Sequence, residues 1–453
     1  MYFDSVTDIG AYAFAGCESL DEIYLYDIDA VTHYGEGAFM GSGLTWITLS
    51  DQEKISDKAF MNCTKLAKVT TSGRNKTIGK SAFEGCTALQ SICLTKEVQY
   101  RAFYGCTAMK DVYTSGLVSL GKSAFEGCTA LETFPFPKTL TSMGTSVFEG
   151  CTALTKAILP SSLTAIPDRA FYSCTKLTSP NLTVKIKTVG NYAFYKCSAM
   201  ENLILPAGVT TVGSSAFEYC SGLKMVNMTN NITQLGSFCF DSCTALTTVY
   251  FSTALTAIPA SGFRDCPALT NVNLSKTAIK SVGSNAFCNC SAVTSVSLPD
   301  TVTSIGDGAF YNITKPASVT IPKAVTSVGR YAFSCPMTVV SGNTKFAVKE
   351  GVLYSKDFTS LLIYPRSKTN TTVTVASGVT AIGPCAFYGV TPLKIVNLPD
   401  TVKTIDASAF SGCANLTTVK FSPNVKEIKA SAFGGCKALI AIQTNKKTSS
   451  ARW

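Results

Sequence analysis

Nineteen cysteines and a single histidine, His33, carry the most obvious chemistry in this 453-residue chain. Thiols at that density suit disulfides, a zinc site or a nucleophile, and each use requires its own spacing. Zinc sites favour pairs such as Cys-x-x-Cys, and the chain has none. Cys–His or Ser–His–Asp catalysis would have to draw on His33, and nothing around it completes a catalytic pattern. No His-Glu-x-x-His occurs. Paired carboxylates stay open, because any two can meet once a chain folds. The expectation is a protein that is not an enzyme and has no cofactor and no metal.

The cysteines themselves show what must position them. Fourteen of them (Cys17, Cys63, Cys86, Cys106, Cys128, Cys151, Cys174, Cys197, Cys220, Cys243, Cys266, Cys290, Cys413 and Cys436) stand three residues after a Phe, mostly in Ala-Phe-x-x-Cys. From Phe125 to Phe263 the Phe recurs every 23 residues, and it does so again from Phe387 to Phe433. Nearer the N-terminus, from Phe14 to Phe125, the intervals vary between 20 and 25. Ser42, Ile313, Pro336 and Val390 fill the cysteine slot in other repeats, so a thiol is not chemically required there. Neighbouring strands lie about 4.8 Å apart, whereas a disulfide asks its Cβ atoms to converge to roughly 3.8 Å. A ladder of reduced, buried thiols acting as small hydrophobes is the expected outcome.

Within one repeat the apolar positions define a coil. From Phe148 they fall at Cys151, Leu154, Ala157, Leu159, Leu163, Ile166 and Ala170, and Phe171 opens the next unit. The Ala157-x-Leu159 spacing of two is the strand period, while Phe-x-x-Cys-x-x-Leu, at three, suits a short helical or 3₁₀ turn. Twenty-three residues are too few for a domain and enough for one turn of a solenoid that buries its face against its neighbours. The expected fold is a β-rich α/β leucine-rich-repeat solenoid over residues 1–453. Each 23-residue coil should hold one short strand and one helical turn, with the parallel sheet on the concave face.

The pattern Leu-x-x-Val-x-Leu-Pro followed by Ile-Gly-x-x-Ala-Phe-x-x-Cys resembles the BspA-like, treponemal class of leucine-rich repeats. Leu154-x-x-Ala157-x-Leu159-Pro160 and Leu393-x-x-Val396-x-Leu398-Pro399 are clear copies. The resemblance covers roughly residues 5 to 445 and implies adhesion at a cell surface or binding of host, matrix or microbial-surface proteins. The largest irregularity also resembles the family: Phe333 and Phe387 stand 54 residues apart, and Gly351-Val352-Leu353-Tyr354 lies between them. Two β-rich runs around Ser355-Lys356-Asp357 predict an inserted hairpin-like segment over 344–370.

Composition bounds the partners. With 46% apolar and 15% charged residues the chain has the makings of a packed core, not of disorder. A net charge of +10 is mild over so long a chain, and nucleic acid is not an expected partner. No run is long and apolar enough for a membrane span, and Met1-Tyr2-Phe3-Asp4 leads into repeats with no secretory signal. A surface or secreted setting is what the resemblance implies, and a cytoplasmic one stays open.

Strand register then nominates a face. Residues between the buried positions point outward, and coil by coil they include Tyr24, Trp46, Tyr113, Ile158, Ile204, Met225, Asn227 and Tyr250. Apolar and aromatic groups among amides and hydroxyls suit a protein partner. The plainer reading is that such side chains support one another across strands. A carbohydrate-binding module using Trp46 and the Tyr row is the alternative, as is an intracellular protein-interaction scaffold.

Overall fold

A computed structural model describes residues 2–3, 6–25, 33–49, 54–71, 77–94, 96–114, 116–421 and 423–444. It divides into two compact units, Met1–Leu246 and Thr247–Trp453. Each is a stack of parallel coils.

The coil between Phe194 and Phe217 shows how sequence becomes structure. Strand Asn202–Leu205 alternates exposed and buried residues, and Leu203 and Leu205 enter the core at 2% and 0% exposure. It pairs in parallel with Met225–Met228, placing Asn202 against Met225 and Ile204 against Asn227. After Pro206 the chain turns through the buried Val209 into a second, two-residue strand, Thr211–Val212. That strand pairs with Thr188–Val189 on one side and Gln234–Leu235 on the other. So most coils carry two short strands, where one was expected. The second is legible in Val209-x-x-Val212 only as an apolar spacing of three, which does not announce a strand. Gly213 follows because a Cβ there would stand 2.6 Å from the Asn191 amide nitrogen of the preceding coil.

The expected helical or 3₁₀ turn is a correction. No helix is present among the described residues, and Phe-x-x-Cys lies in a ribbon of turns. Ser215 and Tyr219, two residues before and after Phe217, take φ of 55° and 60°. A left-handed residue at every fourth position prevents a right-handed helix from propagating. Instead the amides alternate. Glu218 and Cys220 donate locally, to the Ser215 and Phe217 carbonyls at 3.2 and 3.3 Å. Ser215, Phe217 and Tyr219 donate along the stack, to Ser237, Cys239 and Asp241, each at 2.9 Å.

The same ribbon holds the Phe ladder. Phe194, Phe217 and Phe240 are fully buried, with ring centroids 5.2 and 5.3 Å apart and planes within 7°. In the second unit Phe263, Phe287, Phe310 and Phe333 stack in the same way at 5.3 to 5.6 Å.

The inserted segment is a three-stranded antiparallel meander of Phe346–Lys349, Val352–Ser355 and Ser360–Ile363. Its third strand then pairs in parallel with Ala381–Ile382, as a second coil strand does. Tyr364 follows in the Phe slot: its amide donates to the Ala386 carbonyl at 2.7 Å, and its ring stacks on Phe387 at 4.9 Å. The 54-residue interval is therefore one enlarged coil ending in Ile363-Tyr364, plus one ordinary coil. Buried Asn343 anchors its entrance, donating to the Pro322, Lys323 and Val325 carbonyls and accepting from the Lys345 and Phe346 amides.

Phe217→Ala should lower unfolding free energy by about 3–5 kcal/mol, the usual cost of deleting a buried aromatic. Coupling runs between neighbouring coils, so hydrogen exchange should accelerate mainly across residues 194–240. Unchanged exchange there would show that Phe217 is not a core position.

Candidate functional site

The thiols come first, as the residues with the most reactive chemistry. All nineteen are free, and most are buried. Their spacing turns out to serve a hydrogen bond. Cys220 Sγ donates to the Phe194 carbonyl at 3.2 Å, and Cys174 reaches Phe148 and Cys151 reaches Phe125, each at 3.1 Å. Each of these carbonyls also accepts the amide of its own coil's cysteine, as Phe194 does from Cys197. A thiol thus fills the slot as a small hydrophobe and occupies the carbonyl's second lone pair. Burial pushes Cys220 and Cys413 up to about 12 and Cys335 to about 11, and it raises Cys128 and Cys174 further still. Reactive cysteines have their pKa lowered, not raised. This ladder is structural.

His33 lies exposed in strand His33–Tyr34, opposite Asp8 of Asp8–Ile9. Among the described residues no group of three or more His, Cys, Asp or Glu is placed to hold a metal.

The outward face of the longer strands remains. In the first unit Tyr113, Ile158 and Ile204 are 60%, 64% and 62% exposed. Ile158 pairs with Asn181 and Ile204 with Asn227, so an apolar group alternates with a polar one along the stack. The coil between Tyr113 and Ile158 presents the exposed Pro135 at this position. The large apolar groups therefore recur at every second rung, about 10 Å apart at strand spacing, with the smaller apolar Pro135 between the first two. Sheet pairing is interrupted at the coils of Pro135 and Pro180, neither of which has an N–H to donate. Trp46, Met225 and Asn227 are only half-buried on the same face. Tyr24 pairs with Tyr2 through its backbone, and its side chain lies outside the described residues. In the second unit Tyr250 is 56% exposed, but later rungs are polar: Thr320 bonds Thr338 at 2.9 Å and Asn397 donates to Thr374 at 3.1 Å. Of the C-terminal basic residues, Lys446, Lys447 and Arg452 lie outside the described residues.

One cluster escaped sequence reasoning. On the turn ribbon Tyr172 stacks on Tyr195 at 4.5 Å, Tyr192 and Tyr219 meet Tyr195 edge-on, and the Arg169 guanidinium sits 4.0 Å from the Tyr172 ring. Arg169 also forks onto the Glu149 carboxylate. The signal was available, since Tyr172 and Tyr195 both directly follow a ladder Phe and equivalent residues stack.

Such a structure defines a leucine-rich-repeat solenoid. The family described as BspA type leucine rich repeat region matches residues 2–110, 96–224, 164–290, 210–340 and 364–452, and the chain belongs to it. A leucine-rich repeat protein from Bacteroides ovatus is similar at 23% identity, covering 93% of this chain and 87% of its own, with a TM-score of 0.51. A leucine rich cell surface protein from Faecalibacterium prausnitzii is 22% identical over 65% of this chain and 88% of its own, with a TM-score of 0.46. No curated protein matches the chain. Among the described residues no helix is long and apolar enough to cross a membrane.

Thiol accessibility follows from the burial. Native alkylation should mark Cys17 and Cys93, the exposed pair, while denaturant without reductant should free all nineteen thiols. Fewer than about half free would defeat the packing account. A raised folded pKa means that the folded protein holds these protons above the ordinary thiol range, where the unfolded chain has lost them. Stability should therefore fall as pH rises past about 8.5, measured as denaturation midpoint.

Proposed function

We propose that the chain is a non-enzymatic protein-binding scaffold whose partner surface is the outward sheet face of the first unit. The observation that carries this reading is the alternate-rung exposure of Tyr113, Ile158 and Ile204, with Pro135 between the first two and Asn181 and Asn227 beside the isoleucines. Extended solenoid faces bind partners, and aromatic and apolar anchors ringed by polar groups concentrate interface energy. The partner class follows from the resemblance: an extracellular-matrix or cell-surface protein, met in a surface or secreted setting. The printed description of the Faecalibacterium relative names a cell surface protein as well.

A carbohydrate-binding role for Trp46 and the Tyr row is less well supported. Half-buried Trp46 and exposed Tyr113 stand three coils apart and form no common platform. An intracellular scaffold would use the same face, and the native compartment of the full reading frame separates the two.

Replacing Tyr113, Ile158 and Ile204 together by Ser should leave the denaturation midpoint nearly unchanged, because all three are exposed. Binding to immobilised matrix or cell-surface proteins should weaken by at least about 2 kcal/mol. Ala at Ser214, Glu218 and Lys224, off this row, should change little. Parent-like binding by both triple variants would overturn the assignment.

A further inference from the structure

The enlarged coil of the second unit forms an open pocket, a cavity of about 190 Å³, between the meander and strand Thr372–Thr374. Its wall is mostly polar, and it is built, not incidental. Tyr364 is held by its place in the Phe ladder, and its hydroxyl donates to Asn370 Oδ1 at 3.3 Å. Tyr354 is only 5% exposed and its ring packs on Phe358, yet its hydroxyl makes no hydrogen bond to any described residue. That hydroxyl is open to water or to a ligand in the pocket. Lys349 and Lys368 also line the cavity, against one carboxylate, Glu350. Burial pushes Tyr364 up to about 12 and raises Tyr354, so both remain hydroxyl donors at neutral pH.

We propose that this cavity binds the acidic sugar residue of a glycan, with its carboxylate toward Lys349 and Lys368 and its ring hydroxyls toward Tyr354 and Asn370. Two ammonium groups favour an anion over a neutral sugar. Hydroxyl and amide groups on several walls suit a polyhydroxylated ring better than an apolar solute. An acidic peptide would satisfy the lysines equally. A pocket of about 190 Å³ holds one sugar ring more readily than an extended peptide, which favours the sugar. The site is separate from the sheet face of the first unit and does not depend on it.

Isothermal titration of the full chain with sodium glucuronate, glucose and an acetylated tetraglutamate tests the proposal. Glucuronate should bind saturably, with glucose and the peptide each at least about tenfold weaker. Tyr354→Phe removes only the unpartnered hydroxyl and should keep the parent's melting temperature while weakening glucuronate several-fold. Lys349→Gln with Lys368→Gln should weaken it about tenfold or more. The Ser triple at Tyr113, Ile158 and Ile204 should bind glucuronate like the parent. Absence of saturable glucuronate binding, indifference to both cavity variants, or tighter binding of the peptide would each overturn the proposal.

Discussion

The stack depends on one hydrogen-bonding arrangement: alternate amides of the turn ribbon donate along the solenoid instead of back into their own coil. Left-handed residues such as Ser215 and Tyr219 create it, each at a conformational cost of about 1–2 kcal/mol for a non-glycine. The return is continuous pairing at the corner, where a helix would have bonded only to itself. The ribbon also sets the rung spacing at which the Phe rings stack and most ladder thiols reach the preceding Phe carbonyl. Phe, Cys and left-handed turn are three expressions of one geometry.

That geometry explains why burial raises the pKa of ladder thiols such as Cys128 and Cys174. At Cys128 and Cys174 burial outweighs the one backbone hydrogen bond that favours the anion. Most of the cysteine content is a packing solution repeated in fourteen coils. Chemistry is left to the places where the repeat is decorated or broken: the outward rungs of the longer strands, the tyrosine cluster beside Arg169, and the enlarged coil around Tyr354 and Tyr364.

The enlarged coil shows how an array tolerates insertion. The meander enters through Asn343, whose side chain ties the turn at 322–325 to the start of Phe346–Lys349, and leaves through Ser360–Ile363 in ordinary parallel register. The ladder resumes with Tyr364 in place of Phe. A phenol keeps the ring for stacking and adds a hydroxyl at its far end, which here bonds Asn370 on the cavity wall. A packing position thereby acquires a polar surface without loss of the core.

The sequence by itself determined the architecture, because a 23-residue period repeats the same apolar positions until chance is no explanation. The buried identities of Phe217, Cys220 and Leu223 were legible, and so was the outward direction of Ile158 and Ile204, since strand alternation needs only residue spacing. Tertiary structure decided what spacing leaves degenerate. An interval of three fits a helical turn and a left-handed turn ribbon alike, and only bonding between coils selects the ribbon. Tyr364 was hidden because a Tyr after Ile does not look like Ala-Phe, and its register emerges only when Ser360–Ile363 pairs with Ala381–Ile382. The cavity was hidden for the same physical reason. Its walls come from residues distant in sequence, and their meeting is fixed by strand pairing, not by any local pattern.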